Sequence, residues 1–210
     1  GVTSLAPGTD VLLDRATSVG FGGQLFVPID DRWTAFGGAG GSWSYEEDAD
    51  VSEGLTASGY AGANYRFDNG LKLGLAIAGG SRLEDDARIF GFPTIDWQIN
   101  DQWRLRNTGP RLRLSYKQSD PLTLFAVGGW ESREYRLDDD GPVPDGVLRD
   151  DRIAIEAGAE WTPSRQIVIS GSIGAVVYNE YEVLDSSGDE IGEEDADVAL
   201  RLRLGASFRF

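Results

Sequence analysis

A chain with no histidine, no cysteine and no methionine has few chemistries open to it. Without imidazole there is no Ser-His-Asp triad and no histidine metal ligand; without thiol there is no disulfide framework, zinc ribbon or cysteine nucleophile. Carboxylates and guanidinium groups remain. Glu156 and Glu160 stand four residues apart in RIAIEAGAEW, which on a strand puts them on one face, about 13 Å apart at a ~3.3 Å rise. Paired carboxylates can act as acid and base, yet these two read better as counter-charges, because cations recur at alternate positions elsewhere. Arg104 and Arg106 alternate in WRLR, Arg111 and Arg113 alternate in RLRLSYK with Lys117 closing the segment, and Arg201, Arg203 and Arg209 sit in the last stretch. Asp96 and Glu131 are the other acids expected beside them. No catalytic residue is assigned, the expected function is non-enzymatic, and no cofactor is expected.

The elements that carry these charges show a period of two. In VALRLRLGASFRF, Val198, Leu200, Leu202, Leu204, Ala206, Phe208 and Phe210 alternate with arginine and small residues. Leu112, Leu114 and Tyr116 alternate with Arg111, Arg113 and Ser115 in the same way, and Ile153, Ile155, Ala157, Ala159 and Trp161 with Glu156, Gly158 and Glu160. Such alternation marks strands with one apolar and one polar face, and 28 glycines in 210 residues point away from helices. No run of 18 apolar residues offers a membrane-spanning helix.

The connections are of two kinds. Short polar turns fall at 28–31, 68–70, 100–102, 118–121 and 163–165, and long acidic segments at 45–53, 84–93, 138–151 and 185–197. Short turns on one rim, long loops on the other and strands of about ten residues are the pattern of a transmembrane β-barrel. The aromatics sort by depth as well. Trp33, Phe67, Trp97, Trp103, Tyr116, Trp161 and Phe210 lie near the short turns or the C-terminus, and Trp43 and Tyr135 beside long loops. From Trp33 to Trp43 at a ~45° tilt is roughly 23 Å, close to the ~25 Å apolar band of such barrels.

The expected fold is therefore all-β, an antiparallel up-and-down transmembrane barrel in one domain over 1–210, with 1–16 as an N-terminal segment or first strand and 17–210 as the wall. Eleven strands are expected near 17–27, 33–45, 54–67, 71–83, 94–99, 103–107, 110–117, 122–137, 151–163, 166–184 and 196–210. A tight reversal at Asn107–Pro110 separates two of them, and a twelfth is expected within 1–13, where TDVLLD is the candidate. If 103–117 were one bent strand, the count would be ten.

The net charge of −16 argues against nucleic-acid binding. The four long loops hold 21 of the 35 acids, which suits a solvated external rim. Asp138, Asp140, Asp185 and Asp189 are candidate calcium ligands beside glycine turns, but the loop does not match an EF-hand, because Glu190 stands where glycine is needed. Loose divalent bridging to lipopolysaccharide phosphates is the better expectation. With no methionine, the start at Gly1 suggests either a removed leader, which fits export, or a trimmed chain.

On these residues the chain resembles the bacterial outer-membrane β-barrel class. The alternating last strand ending in Phe210 resembles the signal read by the barrel-assembly machinery. The segment TIDWQINDQWRLR followed by GPRLRLSYKQSDPLTL resembles a family of small outer-membrane barrels of unknown function. The resemblance implies a location in a Gram-negative outer membrane, contact with its lipid and lipopolysaccharide, and assembly through the C-terminal strand. Two functions follow as expectations. One is a narrow porin-like channel with an arginine-rich inner face. The other is a structural barrel with a closed lumen, whose acidic loops contact another envelope protein.

Overall fold

The structure, a computed structural model, describes residues 16–46, 49 and 52–208. The expected strand within 1–13, together with Arg209 and Phe210, lies outside the described residues. The described chain is all strand and turn, with no helix. In order the elements are β1 (Ala16–Pro28), β2 (Trp33–Glu46), β3 (Leu55–Arg66), β4 (Leu71–Arg82), β5 (Asp85–Gln98), β6 (Trp103–Thr108), β7 (Arg111–Lys117), β8 (Leu122–Arg136), β9 (Val147–Ser164), β10 (Ile167–Leu184), β11 (Glu190–Asp195) and β12 (Ala199–Phe208).

All twelve belong to one sheet in which each strand from β1 to β10 pairs antiparallel with the next. β11 and β12 both pair with β10, β11 against Glu180–Leu184 and β12 against Ile167–Val176. They are therefore two halves of one edge, and the sheet is eleven strands wide. A parallel bridge between Tyr45 and Arg136 joins β2 to β8 and closes β2–β8 into a seven-strand barrel, with β1 and β9–β12 as additional strands.

Two expectations about connections are corrected. The segment 84–93 is strand rather than loop: β4 passes to β5 through a tight turn in which Glu84 has φ of +52°. Its acids Asp85 and Asp86 are tolerated because this part of β5 is exposed on both faces. The loop expected at 185–197 contains β11, held on β10 by the pairs Glu182↔Glu193 and Tyr181↔Glu194. The reversal at 107–110 is as expected, with Thr108 paired to Arg111 and Gly109 at φ +57°, a conformation that costs glycine little.

Register gives the sheet two chemically distinct faces. The partners Lys72↔Asp96↔Arg106↔Arg113↔Val127↔Glu156↔Gly174↔Arg201 run across eight strands and so share one face. The other face carries Leu75, Ile77, Ile155, Ile173, Leu200, Leu202 and Leu204, all more than half exposed.

Seven buried apolar residues gather at one end. Leu83, Val147 and Leu184 form one cluster there; Leu137, Leu148, Tyr181 and Val183 form another, with Val143 and Ala196 packed on it. Around them Glu134 takes ion pairs from Arg82 at 2.8 Å and Arg149 at 3.0 Å. Arg149 also reaches Glu182 and Asp85, and Arg136 reaches Glu84 at 2.6 Å. The tips of β2 and of the β4–β5 hairpin thus lean onto the upper ends of β8–β10, and the described part of the far rim is a folded cap.

Candidate functional site

The charged face of β6–β10 and β12 lines a half-open cavity of about 440 Å³. Each element presents its charges by strict alternation. β6 and β7 give Arg106, Arg111 and Arg113; β9 gives Glu156 and Glu160; β12 gives Arg203; Ser170 and Ser172 on β10 complete the wall. The small residues between them are there for space. A Cβ at Gly158 would lie 2.8 Å from the Phe125 ring and overlap the Gly171 carbonyl, so Phe125 can lie flat on this wall only because position 158 is glycine. The Arg113 guanidinium then stacks on Phe125, 4.0 Å from the ring centre.

Two glutamates organise the upper cavity. Glu131 accepts two hydrogen bonds from Arg201, at 3.2 and 3.1 Å, and one from Arg203 at 3.3 Å, with Arg111 at 3.4 Å and Arg152 at 3.6 Å. Glu156, 4% exposed, accepts the Ser172 hydroxyl at 2.9 Å and lies 3.4 Å from both Arg201 and Arg203. Its other oxygen, Oε1, is buried without a hydrogen bond. Lower down, Arg113 pairs with Glu160 at 2.9 Å. Arg104 grips both oxygens of Asp96 at 2.8 Å, and Lys117 pairs with Asp120 in the adjoining turn at 2.8 Å. Three arginines, 111, 201 and 203, thus share two carboxylates, and the cluster keeps a positive excess. Each candidate acid faces a guanidinium within ion-pair reach, as confined charge requires.

The sequence reading missed Arg152 and Asp150, which pair at 2.9 Å just above Glu156. The signal was available: both continue the alternation of Glu156 backward along β9, Arg152 within the strand expected at 151–163 and Asp150 in the loop expected at 138–151. It also missed the cap arginines 82, 136 and 149, whose carboxylates lie far off in sequence.

Of the residues read as a girdle, Trp33 packs on Tyr65 at 5.1 Å, Tyr65 on Phe67 at 4.9 Å and Trp103 on Tyr116 at 4.8 Å, all beside short turns. Trp97 and Trp161 share the apolar face with Leu71 and Ile169, and Trp43 packs on Phe21 toward the other rim. Tyr135 belongs elsewhere. It lies opposite the buried Leu148 and two steps from Arg133, on the charged face, because the strand alternation from Glu131 carries it inward.

The acidic turns use their own oxygens. Asp185 accepts the Ser187 hydroxyl at 2.7 Å and the backbone N–H groups of Ser187 and Asp189, and these hold its carboxyl below the usual range. Asp138 accepts the N–H of Asp140. No three acidic groups among the described residues converge to hold a metal ion. At the opposite rim Asp30 accepts the N–H groups of Trp33 and Arg32, at 2.7 and 2.8 Å, which lowers its pKa likewise.

Comparison of the chain with protein-family models, with curated proteins and with solved structures found no match.

Proposed function

We propose that this chain is a non-enzymatic transmembrane β-barrel of a Gram-negative outer membrane, with its lumen stoppered at the long-loop end. The apolar face supports the membrane part. Leu200 and Leu204 are 88% and 83% exposed, and a strip of this kind around a whole sheet suits lipid, since water-soluble domains rarely expose apolar patches above a few hundred Å². Aromatics beside the short turns suit an interface belt. The wall would hold twelve strands. β1 and the β11–β12 edge run in the same direction, so a wall closed between them takes one further antiparallel strand, which gives the even number usual in bacterial barrels.

The cap carries the stopper. Leu148 and Tyr181, on the charged inner face, are 1% and 5% exposed beneath Leu137 and Val143, and the β8–β9 connection folds back over them. An interior filled by paired arginines and closed above by apolar side chains suits a structural or partner-binding barrel. In that reading the acidic rim contacts lipopolysaccharide through divalent ions or meets another envelope protein, and the last strand addresses the assembly machinery. A second reading, a narrow anion-preferring channel, draws on the cavity beside Arg111 and Arg203, whose side chains are 37% and 38% exposed. Planar-bilayer recording with insertion checked separately decides between them. The stoppered reading expects silence, and steady anion-selective steps from the intact chain would replace it with the channel.

A further inference from the structure

The wall is not of even height. On the apolar face, β5 runs nine residues from Trp97 to Ile89 and β8 nine from Leu122 to Trp130, whereas β6 runs only five from Trp103 to Asn107 and β7 five from Tyr116 to Leu112. At a ~3.3 Å rise and ~45° tilt the hairpin between them is about 9 Å shorter than its neighbours. β5 pairs with β6 only over Asp96–Gln98, and β8 pairs with β7 only as far as Gly129. The Asn107 side chain finishes the seam: its Oδ1 accepts the Ile95 N–H at 2.7 Å and its Nδ2 donates to the Pro93 carbonyl at 2.7 Å. Above it, among the described residues, β5 pairs only with β4, and β8 only with β9 apart from the bridge to Tyr45.

The result is a notch. Its floor is Asn107–Pro110, its sides are the edges of β5 and β8, and its top is closed by the ion pair of Arg82 with Glu134. Arg88 alternates onto the charged face with Asp96, and its guanidinium reaches across the gap to lie 4.5 Å from the ring centre of Trp130 on the apolar face; among the described residues no carboxylate pairs with it. Ile89, beside it, is 75% exposed, Leu112 on the floor side is 47% exposed, and Gly91 leaves the intervening edge without a side chain.

We propose that this notch binds a membrane amphiphile with a phosphate headgroup, its acyl chain lying over the hairpin tip along Ile89, Gly91 and Leu112 and its headgroup on Arg88 beside Trp130. The inference rests on the membrane reading above. A free arginine next to an indole at the top of an apolar slot complements an anionic head on an apolar tail. The long-loop rim is the outer face of such barrels, so the notch opens to the outer leaflet.

The test uses the full chain folded into phosphatidylcholine vesicles, with incorporation read from heat-modifiable migration, then extracted in neutral detergent and titrated by native mass spectrometry. The probes are dilauroyl phosphatidic acid, dilauroyl phosphatidylcholine and inorganic phosphate. We expect phosphatidic acid to bind at least about tenfold more tightly than the other two. Arg88→Gln should remove that preference. Gly91→Leu should weaken both lipids, because a Cβ there has open space and the longer side chain occupies the acyl path. Equal binding of the two lipids, an unchanged Arg88→Gln protein, or displacement of phosphatidic acid by equimolar inorganic phosphate would each overturn the proposal. A chain that incorporates normally yet shows no preference sinks the notch alone, and one that never incorporates removes the membrane reading with it.

Discussion

Arg201 on β12 and Glu131 on β8, 70 positions apart, meet through a two-pronged hydrogen bond across two intervening strands. The contact spans the concave face of the sheet, and Gly174, which pairs with Arg201, leaves room for the neighbouring Glu156, whose Cγ would lie 2.7 Å from a Cβ there. Arg203, Arg111 and Arg152 converge on the same carboxylate.

Neutralising that carboxylate leaves several guanidinium groups confined with one counter-ion fewer. Glu131→Gln should destabilise the folded barrel by about 3–5 kcal/mol, the range for breaking a buried pair, and equilibrium urea unfolding in detergent measures it. A shift below about 1 kcal/mol would mean that solvent already screens the cluster as it does surface pairs.

Gly158→Ala forces a Cβ onto the Gly171 carbonyl and the Phe125 ring. Both are held by strand packing, so we expect a loss of about 1–3 kcal/mol, the range for overpacking. Gly91→Ala, where a Cβ meets nothing closer than 3.8 Å, serves as the neutral control in the same thermal-unfolding experiment.

The stopper can be removed without touching the apolar wall. Replacing 138–145 by a short glycine linker takes Val143 off the Leu137–Leu148–Tyr181–Val183 cluster. The shortened chain should conduct in planar bilayers where the full chain is silent. Leu148→Ala, at a fully buried site, should cost about 2–5 kcal/mol of cap stability, read as faster proteolysis of the β8–β9 connection.

Acid should loosen both rims. The carboxyls of Asp30 and Asp185 are held below the ordinary value of 3.8 by backbone and hydroxyl donors. A lowered folded pKa contributes stability that is complete above 3.8 and is lost as pH falls through the folded value. The turns should therefore hold at pH 5, weaken as pH falls below 3.8 and open once it passes the lowered folded value. Carbon-detected NMR titration of the two carboxyls checks this, and Asp185→Asn should abolish the acid transition at the β10–β11 turn while leaving that at Asp30.

The strands, their two faces and the short turns were legible in the sequence because a period of two is a local property: Arg201, Leu202 and Arg203 fix their faces whatever they pack against. The same holds for the reversal at Asn107–Pro110, where glycine and proline act within four residues. Relations among distant strands required the folded sheet. Glu84 turns β4 into β5 where acidity suggested a loop, since exposure on both faces removes the penalty for Asp85 and Asp86. Tyr135 turns inward because alternation from Glu131 outweighs its nearness to a loop. The convergence of arginines on Glu131, the cap on Leu148 and the notch between β5 and β8 arise from strand lengths and register acting together, and no local pattern encodes which carboxylate a long side chain will reach across a curved sheet.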